Sequence, residues 1–139
     1  MADKVQVELV TPTRLLLNVS ADMVIVPGGE GDFGVLPGHA PLLSTVRPGT
    51  IEVHDGNTVT ERVFVGVGFA EVNAERCTVL VQEAIPVSEL SRETAAARLA
   101  DARKALEKAS TASERNHAAA DAATAEAMLA ALDADARRH

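Results

Sequence analysis

"TIEVHDGNTVTERVFVGVGFAEV", residues 50–72, decides how the first half of this chain folds. Apolar Ile51 and Val53 alternate with Glu52 and His54. Asp55-Gly56-Asn57 follows, and the alternation resumes at Val59 and then at Val63, Val65 and Val67. A period of two sends successive side chains to opposite faces of an extended chain. An Asp-Gly pair between two such runs closes a tight hairpin. The same pattern extends outward. In "VQVELV" (5–10) Val5, Val7 and Leu9 alternate with Gln6 and Glu8, and "LLLNVSADMVIVPGG" (15–29) continues until Pro27-Gly28. On the other side, a turn at Asn73-Ala74 leads into "CTVLVQEA" (77–84). Many short strands separated by turn signals predict a β-sandwich or barrel.

The pattern ends near Ser88. All nine Gly and all six Pro lie in residues 1–87, whereas 19 of the last 52 residues are Ala. Gly and Pro punctuate strands, and Ala is the best helix former. The fold class is therefore α+β: an N-terminal β-sandwich over 1–87 followed by a C-terminal antiparallel two-helix hairpin over 88–139. The first helix starts at Ser88–Ser91 and ends at Ala109, with Leu99, Ala102, Leu106 and Ala109 on one face. "STAS" (110–113) interrupts it, with Ser113 placed to cap a second helix over about 114–137. That helix aligns Ala118, Ala122, Ala125, Met128 or Leu129, and Leu132 in one stripe. So short a connection makes the helices antiparallel neighbours. Because Ala buries little area, this pair is expected to be the less stable half.

Composition removes several function classes. The 139 residues carry a net charge of −7, contain neither Trp nor Tyr, and have three Phe. Nucleic-acid binding relies on bases at phosphates and on aromatic platforms for bases, so no nucleic-acid partner is expected. Cys77 is the one cysteine, in a strand, and reads as a small buried hydrophobe in a chain without disulfides. "MADKVQVELV" has Asp3 and no apolar signal core, and no apolar run reaches the length of about 18 residues that spans a bilayer. Any membrane association is expected through a partner. Charged residues on the helices read as a solvated face, with ordinary i, i+3 pairs at Glu89–Arg92 and Asp101–Lys104.

The densest local signal is "GDFGVLPGHAPLL" (31–43). A phosphate cradle needs free N–H groups at a helix start and usually a Lys; here Glu30 and Asp32 would repel the anion and strands flank the loop. The glycines instead supply turn geometry. His39 with Asp32 or Ser44 can be written as a Ser-His-Asp set, which gives the rival reading of a small stand-alone enzyme. No nucleophile elbow supports it. His54 at a hairpin, His117 on a helix and His139 at the terminus share no metal-ligand spacing, so no metal is expected.

Residues 31–43 resemble the signature GxxGxxPxHxPLL of the epsilon subunits of F-type ATP synthases, called delta in mitochondria. "VELVTPTRLLL", "VRPGTIEV", "VFVGVGFAEV", "CTVLVQEAI" and the Ala-rich hairpin resemble the rest of that family in order along the chain. The resemblance implies a non-catalytic subunit of the rotating central stalk, peripheral on the cytoplasmic face of a bacterial inner membrane, with no cofactor. It implies that Glu30, Gly31, Asp32 and Phe33 face the ring of c subunits, with Asp32 able to pair with a base there. His39, Pro41, Leu42, Leu43 and the adjoining sheet would face the gamma subunit. The alpha/beta catalytic head is a further partner of the family when the C-terminal helices extend.

Two regulatory features of that family are altered. Some bacterial members bind ATP through an Ile/Leu-Asp-x-x-Arg-Ala motif opening the first C-terminal helix. The aligned residues are Leu90-Ser91-Arg92-Glu93-Thr94-Ala95, so Ser91 and Thr94 replace both polar anchors and no ATP binding is expected. Asp101 and Arg103, roughly 200° apart around a helix, do not replace them. This disfavours a nucleotide-sensing regulator. Inhibition of the head in the family uses basic residues of the extended helices. Residues 116–136 hold Asp121, Glu126, Asp133 and Asp135 and no Lys or Arg, so weak or absent inhibition is expected.

Overall fold

The alternation in 5–10 forms an extended strand with Val5, Val7 and Leu9 fully buried, and nine more strands follow among the described residues. The computed structural model describes residues 4–138, so Asp3 and His139 lie outside the described residues. The strands are β1 (Val5–Thr11), β2 (Arg14–Ala21), β3 (Met23–Gly28), β4 (Gly31–Val35), β5 (Leu42–Val46), β6 (Gly49–Asp55), β7 (Thr58–Val65), β8 (Gly68–Val72), β9 (Arg76–Val81) and β10 (Ala84–Pro86). By contact density the chain divides into two units, Met1–Pro86 and Val87–His139.

The strands form one continuous path, β10-β7-β6-β3-β5-β8-β9-β1-β2, with β4 pairing off β3. A single pairing, Gly28 with Val46, joins β3 to β5. Here the path turns from one layer of a sandwich to the other. Valines from both layers, among them Val24, Val26, Val53, Val63 and Val65 against Val7, Val46, Val72, Val79 and Val81, fill one core with Leu9, Ile51 and Cys77. Most of these are β-branched side chains, which pack well on a pleated surface. β1 and β9 run parallel, from Gln6 opposite Arg76 to Val10 opposite Leu80. Local alternation gives no sign of such a distant pairing.

Asp55-Gly56-Asn57-Thr58 makes the anticipated two-residue hairpin between β6 and β7. Gly56, at φ 64°, occupies the first central position, where hairpin turns favour Gly. Pro27-Gly28 end β3, as the pattern has it, and the chain turns at Gly29-Glu30. Pro27 is tolerated because its carbonyl, not an N–H, is needed there: it accepts from the Arg47 N–H at 2.9 Å. Val67 is exposed rather than in the core. β7 stops at Val65, and the segment Gly66–Gly68 crosses between layers and shifts the parity of the alternation.

The second unit contains a 3-10 turn, Val87–Glu89, then α1 (Arg92–Lys108) and α2 (Ala112–Arg138). Ser91 caps α1 by accepting from the Thr94 N–H at 3.2 Å. α2 starts earlier than expected, because Thr111 caps it in place of Ser113. Thr111 Oγ1 accepts from the Glu114 N–H at 3.1 Å, and Glu114 Oε1 accepts from the Thr111 N–H at 3.1 Å. This reciprocal Thr-x-x-Glu arrangement satisfies two orphan donors. The helices meet through Leu99, Ala102, Ala122 and Ala125, with Leu129 alongside. Leu106 is exposed, so the α1 stripe is shorter than its periodicity suggested. Arg92 pairs with Asp133 at 2.8 Å and Arg98 with Asp121 at 2.7 Å, both between helices; the anticipated local partner of Arg92, Glu89, lies in the preceding 3-10 turn.

Candidate docking surfaces

Two surfaces of the sandwich stand out. The first is the turn between β3 and β4. Gly28 pairs with Gly31, which leaves Gly29-Glu30 as a two-residue tip, and Gly31 has φ 138°, a backbone conformation that favours Gly. Four polar links stitch this turn to the β5–β6 corner. The Gly29 N–H donates to the Thr45 carbonyl at 2.9 Å, and the Arg47 N–H to the Pro27 carbonyl at 2.9 Å. The Arg47 guanidinium donates to the Gly28 carbonyl and, at 2.6 Å, to Asp32 Oδ1. Asp32 is thus already paired within the chain. Glu30 is exposed at the tip and makes no ion pair among the described residues. Phe33 is half-buried and packs against the core.

The second surface is the outer face of β5, β8, β9 and β1. Register aligns Thr45 with Phe69, Phe69 with Leu80, and Leu80 with Val10 in one row across the four strands. Leu43 is 72% exposed, Phe69 56%, Leu80 51% and Val67 49%. A shallow groove runs along this row, bounded by Pro12 and Gln82. The next row is polar, with Leu43 followed by Glu71, Thr78 and Glu8; Glu8 accepts from Thr78 Oγ1 at 3.3 Å and pairs with Arg76 at 3.0 Å. An exposed apolar stripe with a polar rim marks a contact surface. Sequence reading gave Leu43 on this face but missed Phe69, Leu80 and Val67; Leu42, opposite the core residue Val72, has the other parity. The signal was available: Phe69 and Leu80 occupy strand positions opposite in parity to the core residues Ala70, Val79 and Val81.

The Ser-His-Asp set does not assemble. His39 Nδ1 lies 2.6 Å from the Ala40 carbonyl, Ser44 Oγ donates to the Thr45 carbonyl at 2.8 Å, and Asp32 is held by Arg47. Instead, the His39 N–H donates to Leu36 at 3.1 Å and the Gly38 N–H to Ala74 at 2.7 Å, which pins the Pro37–Pro41 loop. Among the described residues no three His, Cys, Asp or Glu side chains converge to hold a metal ion, and no helix is long and apolar enough to cross a membrane. Burial pushes the Cys77 thiol up to about 12, which makes it inert. The groove between α1 and α2 is lined by Asp101, Glu114 and Asp121 against Lys108 and His117.

A sandwich with a stitched acidic turn and a bare apolar flank, followed by a helical hairpin, defines a protein that works by surface contact. Residues 4–87 match the family model for the beta-sandwich domain of the ATP synthase delta/epsilon chain. The chain is 54% identical over 132 residues to the ATP synthase epsilon chain of Paramagnetospirillum magneticum, covering 95% of this chain and 99% of that one. It is 51% identical over 131 residues to that of Rhodospirillum rubrum, covering 94% and 98%. A chain in the Euglena gracilis mitochondrial ATP synthase structure shares the fold, with a TM-score of 0.80 at 24% identity, over 95% of this chain and 83% of that one. This chain belongs to the ATP synthase epsilon family and is a non-catalytic subunit.

Proposed function

We propose that this protein couples rotation of the c-subunit ring to the gamma subunit, as a rigid adaptor of the central stalk. The observation that carries this reading is the row Thr45, Phe69, Leu80 and Val10, extended by Val67 and Leu43. So much exposed apolar surface on a small acidic protein is costly unless a partner covers it. Gamma, through an apolar patch of its own, covers this face, with His39 and Pro41 at its edge. The turn at Glu30, Gly31, Asp32 and Phe33 faces the polar loops of the ring. A rotor part must transmit torque without bending, and the links from Arg47 and Thr45 give the turn that stiffness. The protein then sits peripherally at the cytoplasmic face of a bacterial inner membrane and makes no bond chemistry.

The C-terminal hairpin inhibits ATP hydrolysis weakly or not at all. Arg92 and Arg98 are engaged by Asp133 and Asp121, and the stretch 116–136 carries acids alone. An acidic helix approaching an acidic region of the catalytic head is repelled. ATP does not bind as in some relatives, since Ser91 and Thr94 replace the polar anchors of their motif and Ser91 serves as the cap of α1.

Single Cys substitutions in the assembled synthase test the placement cleanly, because Cys77 is buried. Cys at position 30 crosslinks to the c ring and Cys at position 43 to gamma. Crosslinking of both positions to the same subunit, or of neither to any, contradicts the assignment.

A further inference from the structure

We infer that Arg47 is a positioning residue for the ring-facing turn, and that Glu30, not Asp32, is the carboxylate this turn offers to a cationic or N–H group on the ring. The inference rests on the ring-facing reading above and deepens it.

Sequence alone makes Glu30 and Asp32 equivalent, two acids flanking one Gly. The structure separates them. One guanidinium grips both strands of the β3–β4 hairpin: it donates to the Gly28 carbonyl at the end of β3 and to Asp32 Oδ1 at the start of β4, at 2.6 Å. The planar fork of Arg can serve two acceptors at once, which the point charge of Lys does less well. Asp32 therefore presents a neutralised pair, with little field left for a third group. Glu30 sits between the two anchored strands at the two-residue tip, exposed, with no ion pair among the described residues. The turn carries two acids and one base, so its residual negative charge is that of Glu30. A Cβ at Gly29 would lie 2.1 Å from Thr45 Oγ1, so a larger residue there requires that hydroxyl to turn aside. Arg47 acts on the ring only through the shape it gives to the Glu30 turn.

The test uses the assembled synthase in inverted membrane vesicles. It reads ATP-driven ion pumping per ATP hydrolysed, and retention of the subunit on ring-containing membranes across a salt series. Glu30→Gln is expected to weaken retention roughly five-fold at low salt and to flatten its salt dependence, with an unchanged melting temperature. Asp32→Ala and Arg47→Ala are each expected to lower pumping, and the double variant is expected to fall no lower than either single. Arg47→Lys keeps the charge but not the fork and should recover little of the loss, which separates loss of charge from loss of the two-acceptor geometry. If Asp32→Ala abolishes pumping while Arg47→Ala preserves it, Asp32 meets the ring directly and the inference is overturned, though the ring-facing reading survives. Normal retention and salt dependence in Glu30→Gln also overturn it while the other two variants fail. If every variant pumps and binds normally, the turn does not face the ring, and both readings fall.

Discussion

Gly68 has no room for a methyl group: a Cβ there would stand 2.0 Å from the Leu80 carbonyl oxygen and 2.8 Å from Val81 Cα. Both are backbone atoms of the partner strand, so relief requires β8 and β9 to separate. Gly68→Ala is expected to cost about 2–3 kcal/mol, a typical overpacking penalty, and to lower the melting temperature of the isolated chain. Cys77 gives a second residue-scale outcome. With its thiol pushed up to about 12, it should resist thiol reagents at pH 8 in the native protein and react at once in denaturant. Its burial was legible in the sequence, since it keeps the alternation of Val79 and Val81. The closeness of Gly68 to Leu80 was not, because it depends on the pairing of two strands, which no local pattern specifies. Nor was the fate of Asp32, whose partner Arg47 lies fifteen residues along the chain.

The α2 start is held by Glu114. Backbone and hydroxyl donors of Ser110, and then those of Thr111, hold its carboxyl below the ordinary value of 4.5. A depressed folded value means that this contribution is complete above about pH 4.5 and is lost as pH falls through the lowered value. Helical circular dichroism of the wild type should therefore drop on acidification before the sheet melts, and Glu114→Gln should remove that early step. Thr111→Ala should cost about 1 kcal/mol as a lost cap. The hairpin as a whole rests on Leu99 and a few alanines, helped by Arg98–Asp121. Amide-exchange protection is expected to be lower in α1 and α2 than in β6 and β7; equal protection contradicts the account. At this scale the break at Ser88 was plain in composition. The helix start was misplaced by two residues because Thr111 and Ser113 are both competent caps, and the choice lay with Glu114 three residues after Thr111.

At the scale of the molecule, charge and apolar surface divide the work. The sandwich segment 1–87 carries net −6 and the helical segment 88–139 net −1. The basic side chains Arg92 and Arg98 of α1 are engaged by α2 acids. Deleting residues 88–139 should leave ATP hydrolysis by the assembled synthase within about two-fold of wild type, since residues 116–136 of α2 offer an acidic head four acids and no Lys or Arg. The strand-rich half and the helical pair followed from pattern and turn chemistry, whereas the order of the strands and the apolar flank, whose row puts Phe69 beside Leu80, depend on distant pairings. That flank is the central claim. Its most direct test is co-purification of gamma with the Phe69→Asp/Leu80→Asp double variant, with melting checked against wild type. Both side chains already face solvent, so the fold should survive, and loss of gamma with an unchanged melting temperature is the expected result. Retention of gamma at the wild-type level by a folded double variant would contradict the account.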